Sequence, residues 1–502
     1  MTATRPQTPA SKTLGQRVQE IRQHYRAQPG LDYQLLRIII FSLIGIGVLM
    51  AFSASMATSF TETSNVWAEA IRQCLLVFGG LVLFWLALRI SPYTLRKLVP
   101  WLLLLSILLL IAVLIPGIGT GRDTVGSQSW ISIGSVGFQP SEFARVTVAM
   151  YGATALAGKS HRSLHPTDPF MMYSIISGLM FFLIVAQSDL GMAVSFAMVV
   201  VFTLIFAGVD WRVPAVVLVL GTLGLLAVFL SGGFRSHRFH TYFDAIRGNI
   251  EDTQGTGFQA YQGFLSLADG GFWGVGLGQS RAKWFYLPEA KNDFVFAIIG
   301  EELGLWGGVL VIFLFAALGY IGLRTAKNAQ DQFQSLLAAT LTVGVVIQAF
   351  INIGYVIGLL PVTGIQLPMI SAGGTAALIT IGSMGVLCNV ARHEPLQISA
   401  MQNFGRPLFD RLFFIPEPQL AGDAPKRKTG RHASRTPAKR GKGQSGVVGQ
   451  LARRNAEREE RFGRPVTSRQ PRAGENNTGS TAPRGEYRQR GADRRDGRGE
   501  RR

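Results

Sequence analysis

Four carboxylates lie at the start of a long apolar segment, in the stretch LPEAKNDFVFAIIGEELG at residues 287–304. An ionisable side chain at or inside a lipid bilayer costs free energy, and in membrane proteins it marks a candidate functional site. Asp293 begins the apolar run. A partly desolvated carboxylate at such a point can take a proton from a hydroxyl group as a general base. The stretch therefore predicts Asp293 as a catalytic residue.

A structural role for the same carboxylates is the alternative. Asp293 or Asn292 would cap the following helix, because a polar side chain at a helix N-terminus satisfies free N–H groups and meets the positive end of the helix dipole. Capping and base catalysis are compatible roles. Glu301 and Glu302 follow about 12 Å further along that helix. Polar contacts with neighbouring helices are the favoured interpretation of those two glutamates.

Two further motifs place charge at a predicted membrane boundary. In QPSEFAR, residues 139–145, Glu142 and Arg145 are three residues apart, share a helix face and are predicted to form an ion pair. At the outer boundary such a pair would also be able to contact an anionic head group. In QSDLGMA, residues 187–193, Asp189 is either the cap of the next helix or an acidic wall of a cavity.

A helix break is predicted in TGIQLPMISAGGT, residues 363–375, from Pro368, Gly373 and Gly374. Irregular backbone at membrane depth is tolerated only where it is buried in protein or lines a cavity. Ser371, Gly373 and Gly374 are therefore candidate substrate-binding residues. Close helix packing through small residues is the alternative explanation.

Polar side chains in the long loop before Asp293 complete the candidate site. Recognition of a pyrophosphate needs cations near the membrane surface, and Arg238 and Lys283 are placed to supply them. Gln259 and Gln262 are assigned to the same substrate-binding set. Ordinary solvated loop charges or lipid head-group contacts explain either cation equally well.

The elements that hold these residues are predicted to be transmembrane helices. The chain has 502 residues, of which 48% are hydrophobic and 16% charged. Apolar stretches near 20 residues recur, and each is long enough to cross a bilayer core of about 30 Å. We predict an all-α polytopic membrane protein with ten transmembrane helices at residues 36–56, 73–89, 98–116, 141–157, 169–187, 189–208, 213–231, 294–323, 334–358 and 368–391.

The distribution of Lys and Arg orients these helices. Basic residues concentrate in the N-terminal segment and in alternate short loops, which puts both termini in the cytoplasm by the positive-inside rule. The polar start of the chain shows no cleavable signal peptide. We therefore divide the chain into a cytoplasmic segment 1–35, a membrane domain 36–395 with one large outer loop 232–293, and a cytoplasmic tail 396–502.

The tail is strongly basic. From Pro425 to Arg502 there are 23 Lys and Arg against 8 Asp and Glu, a net +15 out of +19 for the whole chain. With few large apolar residues it cannot bury a core and is predicted to be disordered. Its expected partners are anionic lipid of the inner leaflet or an acidic cytoplasmic protein. Neither the Cys nor the His residues have metal-site spacing, so no metal-binding residues are predicted.

The motifs taken together resemble one family. The segment 257–304, with QPSEF, SDLG and TGIQLPMISAGGT, is similar to the SEDS family (shape, elongation, division and sporulation) of bacterial polytopic membrane proteins. The resemblance covers about residues 36–395, in the family's order and spacing. It implies a ten-helix fold and peptidoglycan glycosyltransferase activity on lipid II. The long charged tails and the motif KNDFVFAIIGEELG resemble the division-type members more than the elongation-type members.

The resemblance also implies roles and partners. The family's acid at the end of the large outer loop corresponds to Asp293, and its glutamate and basic partner correspond to Glu142 and Arg145. A division-type class B penicillin-binding transpeptidase is the implied membrane partner, and cytoplasmic division proteins join the candidate partners of the tail. No cofactor is required by the pattern, although a divalent cation, Mg²⁺ or Mn²⁺, would neutralise a pyrophosphate.

Some positions depart from the family pattern, and two other functions are compatible with the residues. Ser188 stands where proline is common, residues 372–375 differ from Tyr-Gly-Gly-Ser, and 128–130 lack a pair of arginines. A lipid II flippase would also need a polar cavity, although the internal repeats frequent in transporters are not evident. A scaffold that only recruits partners, and an elongation-type polymerase, are the remaining alternatives.

Overall fold

A computed structural model describes residues 30–122, 126–134, 136–158, 168–230, 258–284, 287 and 289–418. Residues 1–29 of the predicted cytoplasmic segment, the tail beyond residue 418, and residues 232–257, 285, 286 and 288 of the large loop lie outside the described residues. Arg238 is among the positions outside them.

The described part of the chain is mostly helical. Its helices are α1 (Leu31–Thr63), α2 (Ala68–Arg89), α3 (Pro92–Ala112), α4 (Pro140–Leu156), α5 (Pro169–Ala186), α6 (Leu190–Phe206), α7 (Arg212–Leu230), α8 (Phe258–Gly270), α9 (Val295–Asn328), α10 (Gln332–Val356), α11 (Thr375–Arg392), α12 (Pro395–Phe404) and α13 (Leu408–Leu412). Each of the ten segments predicted to span the membrane overlaps one of these helices, with ends that differ by up to seven residues.

Seven helices in the described residues are long and apolar enough to cross a membrane: α1, α2, α3, α5, α9, α10 and α11. The helices α4 and α6 are apolar but have 17 residues each. That these helices and α7 also cross the bilayer, and that both termini share the cytoplasmic side, stay predictions. The helices α10 and α11 are the most enclosed, with 72% and 89% of their apolar windows buried, so they form the centre of the bundle.

A small antiparallel sheet corrects the all-α prediction. Its strands β1 (Gly119–Thr120), β2 (Trp130–Ile133) and β3 (Val136–Phe138) pair in that order, in the loop between α3 and α4. The hydroxyl of Thr375, the first residue of α11, donates to the carbonyl of Gly137 at 3.0 Å. The strands are too short for an alternating pattern to stand out, and pairing within one loop supplies the backbone partners that each lacks alone.

The long helix α9 is broken at Gly304, where φ is 67° and ψ is −164°. The backbone of the loop after α8 enters the break. The amides of Val275 and Gly276 donate to the carbonyls of Glu301 and Glu302 at 2.9 and 3.0 Å, and the amide of Leu305 donates to a carbonyl of the same loop. The break is therefore compensated, since the carbonyls that it frees find new donors.

Replacing Gly304 with alanine should destabilise the fold. A Cβ at this position would lie 2.4 Å from the backbone nitrogen of Gly274, and the positive φ strains any L side chain. We expect Gly304→Ala to lose about 1–3 kcal/mol, measured as a lower unfolding temperature in detergent.

Gly319→Ala on the same helix is the matched control, because a Cβ there would meet the nearest side chain at an ordinary 3.5 Å. It should leave stability unchanged or raise it by up to about 1 kcal/mol. Equal unfolding temperatures for the two variants would contradict the account of the break.

Candidate active site

Asp293 lies half-buried in the turn that precedes α9. The cap position of α9 is taken by Phe294, with no capping hydrogen bond from its side chain. The prediction that Asp293 or Asn292 is the cap residue is therefore wrong. The amides of Asn292 and Phe294 both donate to the carbonyl of Glu289, so a tight turn delays the start of the helix. Phe294 is buried against the ring of Tyr355, with ring centroids 5.8 Å apart.

Two side chains of α10 hold the backbone of Asp293. Asn352 Nδ2 donates to the carbonyl of Asp293 at 2.8 Å and to that of Ile365 at 2.7 Å. The hydroxyl of Tyr355 shares its proton between the same two carbonyls, at 2.8 and 2.7 Å. Both side chains are buried. The turn that carries Asp293 is thus joined to the loop before α11 through this pair of residues.

The two residues before Asp293 are fixed by that loop directly. Ser371 Oγ donates to the carbonyl of Asn292 at 2.6 Å, and the amide of Ala372 donates to the carbonyl of Lys291 at 3.0 Å. Three consecutive carbonyls, 291 to 293, therefore each have a donor from α10 or from residues 371–372. Such preorganisation fixes where the Asp293 side chain starts, which is what a general base requires.

The loop before α11 is irregular, as its prolines and glycines predict. The helix begins only at Thr375, and both Met369 and Gly374 have positive φ. A side chain on Gly373 would overlap Gln366 Oε1, at 1.6 Å from an added Cβ. The predicted helix break is confirmed. The hydroxyl of Ser371 is occupied by Asn292 and the amide of Leu367, so in this structure Ser371 positions the turn that carries Asp293.

Two cations that the sequence did not single out lie beside this turn. Lys291 Nζ is 3.7 Å from Glu69 Oε1, and Arg72 Nη1 is 3.3 Å from the same oxygen. Glu69 and Arg72 belong to the first turns of α2, and all three side chains are partly exposed. One carboxylate therefore holds two cations, which leaves a net positive charge two residues from Asp293.

Lys283 is placed differently from the prediction. Its ammonium group is buried and lies 3.1 Å from Glu302 Oε1 and 2.6 Å from the carbonyl of Gly278. Glu302 also accepts from Ser53 Oγ of α1 at 2.6 Å. Lys283 is thus an internal counter-ion that joins the loop to α9, and in this structure it presents no charge at the surface.

Glu301 has a structural role, but its side chain contacts the loop before α9, where the sequence favoured contacts with a neighbouring helix. It accepts from the amide of Arg281 at 2.6 Å and from Ser280 Oγ at 2.7 Å. Together Glu301 and Glu302 fasten residues 278–283 onto α9. The predicted contact with a neighbouring helix is confirmed for Glu302, which accepts from Ser53 of α1. Both roles differ from that of Asp293, which is eight residues earlier.

The predicted ion pair of α4 is confirmed. Arg145 Nη2 lies 2.7 Å from Glu142 Oε2, and both side chains are buried. Arg145 also donates to the carbonyl of Gly344 at 3.1 Å. Gln348 Nε2 donates both to Glu142 Oε1 and to the carbonyl of Gln366, at 3.1 and 3.2 Å. The pair is therefore connected through α10 to the loop that holds the Asp293 turn.

The remaining candidates lie around this centre. Asp189 caps α6 by accepting from the amide of Met192 at 3.0 Å, so the capping prediction is confirmed. It also accepts from Gln139 Nε2 at 2.9 Å, which ties the start of α6 to the start of α4. Gln259 and Gln262 lie half-buried on α8.

These features define a class of protein: a polytopic helical membrane protein with a carboxylate fixed on a turn at the start of a spanning helix. Residues 33–396 match the FtsW/RodA/SpoVE family, described as cell cycle proteins. The chain belongs to this family, as the motifs indicated.

Several relatives and solved structures support the assignment. A probable peptidoglycan glycosyltransferase FtsW of Mycobacterium tuberculosis is 37% identical over 82% of this chain and 81% of its own length. Stage V sporulation protein E of Bacillus subtilis is 36% identical over 72% of this chain and 97% of its own. The solved rod shape determining protein RodA of Thermus thermophilus has a TM-score of 0.52 at 22% identity, covering 72% of this chain and 96% of its own. This last similarity shows a shared fold.

Breaking the buried ion pair should cost more than removing it. Arg145→Met leaves the Glu142 carboxylate buried without its partner, and we expect a loss of about 3–5 kcal/mol. In the double variant Glu142→Gln/Arg145→Met much of that loss should be recovered, because no unpaired charge remains. The measurement is a double-mutant cycle of unfolding temperatures in detergent. Additive effects of the two single changes would show that the pair does not act as a unit.

Proposed function

We propose that this protein is a peptidoglycan glycosyltransferase that polymerises lipid II at the outer face of the cell membrane, with Asp293 as general base. Family membership over residues 33–396 supports the activity, as do relatives named probable peptidoglycan glycosyltransferase. The observation that carries the role of Asp293 is the fixed turn: the three backbone carbonyls of residues 291–293 accept from α10 and from residues 371–372.

The proposed reaction is a single inverting displacement. The Asp293 carboxylate takes the proton of the 4-hydroxyl group of the acceptor GlcNAc. The resulting oxygen attacks the anomeric carbon of the donor MurNAc, and the bond between that carbon and the diphosphate oxygen breaks. Undecaprenyl diphosphate leaves with the bonding electron pair. Positioned base catalysis of this kind contributes about 10²–10⁴-fold to a rate.

Negative charge accumulates on the leaving diphosphate, and the site must offset it. Arg72 lies in the first turns of α2 and Lys291 in the turn that carries Asp293. We propose that these two cations bind the leaving diphosphate. Glu69 would hold both cations until the substrate competes for them. Cations fixed where charge develops stabilise the transition state more than the ground state.

A divalent cation is a separate matter. In the described ranges there is no group of three or more His, Cys, Asp or Glu side chains that could hold a metal ion. The described residues therefore offer no all-protein metal cage, and the proposed reaction has no step through a resident Mg²⁺ or Mn²⁺. A cation carried by the substrate's diphosphate is still compatible with the proposal.

The relatives support a proposed division role and a proposed partner. Relatives named FtsW from Mycobacterium tuberculosis and Bacillus subtilis favour a division-type over an elongation-type polymerase. A solved structure described as "Structural coordination of polymerization and crosslinking by a peptidoglycan synthase complex" shares the fold, with a TM-score of 0.57. We propose that this chain likewise works beside a class B penicillin-binding transpeptidase.

Asp293→Asn should abolish polymerisation and leave the fold intact. We expect the purified variant to convert lipid II to glycan chains, resolved on gels, at a rate lower by about 10²–10⁴-fold. Asp269→Asn is the control, since Asp269 is an exposed acid on α8. A normal rate for Asp293→Asn would refute the base assignment. Transfer of lipid II between leaflets without chain formation by the wild type would instead indicate a flippase.

Lys291→Gln should lower kcat by about 10–100-fold, because the charge that offsets the diphosphate is lost. Lys291→Arg retains the charge and should recover most of the rate. The neutral variant Lys97→Gln, at an exposed position on α3, is the matched control. If Lys291→Gln polymerises lipid II with the wild-type kcat, the diphosphate does not bind here.

A further inference from the structure

The short helix α13 and its flanking residues have two unlike faces. One face is turned to the bundle: Phe409 packs on the core and Asp410 is fully buried. The other carries large apolar side chains with little protein around them. Phe404, Leu408, Leu412 and Phe414 have exposed fractions of 88, 80, 72 and 78%. Leu408 and Leu412 are four residues apart and share one helix face.

A buried ion pair fixes this segment to the bundle. Arg392 Nε at the end of α11 donates to Asp410 Oδ2 at 2.6 Å, and both side chains are buried. The hydroxyl of Tyr33 donates to Asp410 Oδ1 at 2.8 Å. Arg392 also donates to the carbonyl of Pro416. The orientation of α13 is thus set by tertiary contacts, and its exposed apolar face is a fixed feature of the fold.

The contacts of α13 also fix its depth. The ring of Phe409 lies 6.1 Å from that of Phe41 and 4.4 Å from the guanidinium carbon of Arg37, both on α1. Trp85 Nε1 of α2 donates to the carbonyl of Phe413 at 2.9 Å. Phe41 is one helical turn, about 6 Å, further into α1 than Arg37. Trp85 likewise lies one turn inward of Arg89 on α2.

Trp85, one turn inward of Arg89 at the end of α2, fits the tryptophan belt of a membrane boundary, and Phe41 lies one turn inward of Arg37 on α1. Phe41 and Trp85 both belong to helices long and apolar enough to cross the bilayer. A segment packed against them lies at the level where head groups meet hydrocarbon. Its exposed Leu and Phe side chains would there be in contact with lipid, and the exposed Arg411 would reach the head groups.

We propose that residues 404–414 are an interfacial membrane anchor, embedded in the lipid surface on the side of the bundle where α1 begins. The anchor is independent of the polymerase activity proposed above. It holds the chain at the bilayer surface at a point about ten residues before the basic stretch from Pro425 to Arg502, whose charge of +15 suits an anionic leaflet. The lipid surface is chosen over a protein partner because the segment packs on Phe41 and Trp85 of two helices that are long and apolar enough to cross the bilayer, and Phe41 is itself exposed.

Spin-label accessibility in nanodiscs tests the anchor. Single cysteines at Phe404 and Leu412 are introduced into the full-length chain, with Cys74 and Cys388 replaced by alanine. Each label is exposed to oxygen, which partitions into lipid, and to a water-soluble nickel chelate. Ile38→Cys on α1 serves as the lipid control, since Ile38 is 62% exposed on a spanning helix. Glu417→Cys serves as the aqueous control, since that side chain is 63% exposed.

Labels at 404 and 412 should resemble the label at 38, with oxygen collisions dominating. Preferential access of the nickel chelate, as at 417, would overturn the proposal because the face would then be in water. Protection from both reagents would also overturn it, because a protein surface would then cover the face. The introduced cysteines replace exposed side chains, so thermal unfolding should match that of the parent chain that lacks Cys74 and Cys388.

Discussion

The hydrogen bonds that Asn352 and Tyr355 donate to the carbonyl of Asp293 are the contacts on which the rest of the site depends. Both donors come from the central helix α10, and both also hold Ile365 of the loop before α11. Inside an apolar bundle a carbonyl without a donor is costly, so these bonds stabilise the turn. They fix the backbone of the Asp293 turn, while Phe294 takes the cap position of α9. The position of the carboxylate is thereby set by other residues.

The carboxylates of residues 287–304 divide into two kinds by what surrounds them. Glu301 and Glu302 are buried and satisfied by amides, hydroxyls and Lys283, which makes them part of the framework. They occupy the last turn before the break at Gly304. Their carbonyls accept from the inserted loop while their side chains hold its continuation. Asp293 lies at the other end of the same half-helix. There α10 binds its backbone carbonyl. Framework charges close to the candidate base thus keep the half-helix and the loop in one arrangement.

A buried ion pair also fixes a segment at the end of α11, and there the segment is α13. The pair Arg392–Asp410 is buried and hydrogen-bonded by Tyr33, which is the condition for tolerating charge in a low-dielectric interior. Its effect is to hold α13 against α1 and α2 with apolar side chains turned outward. Within the part of the chain that the structure describes, buried ion pairs therefore lie on α4, on α9 and at the end of α11. Each fixes a connection that apolar packing alone would leave free to slide.

Much of the fold and part of the site were determined by the sequence itself. Long apolar runs have one stable form in lipid, so helices at all ten predicted positions followed from length and hydropathy. Spacing of three residues placed Glu142 and Arg145 on one helix face, and Pro368, Gly373 and Gly374 marked the irregular loop. These are local properties of the chain.

Other features depend on residues far apart in sequence: the strands of 119–138, the break at Gly304, and the pairing of Lys291 and Arg72 with Glu69. Only the tertiary structure decided them, because a backbone donor, a space for a side chain or a counter-ion is supplied by whichever distant segment packs alongside.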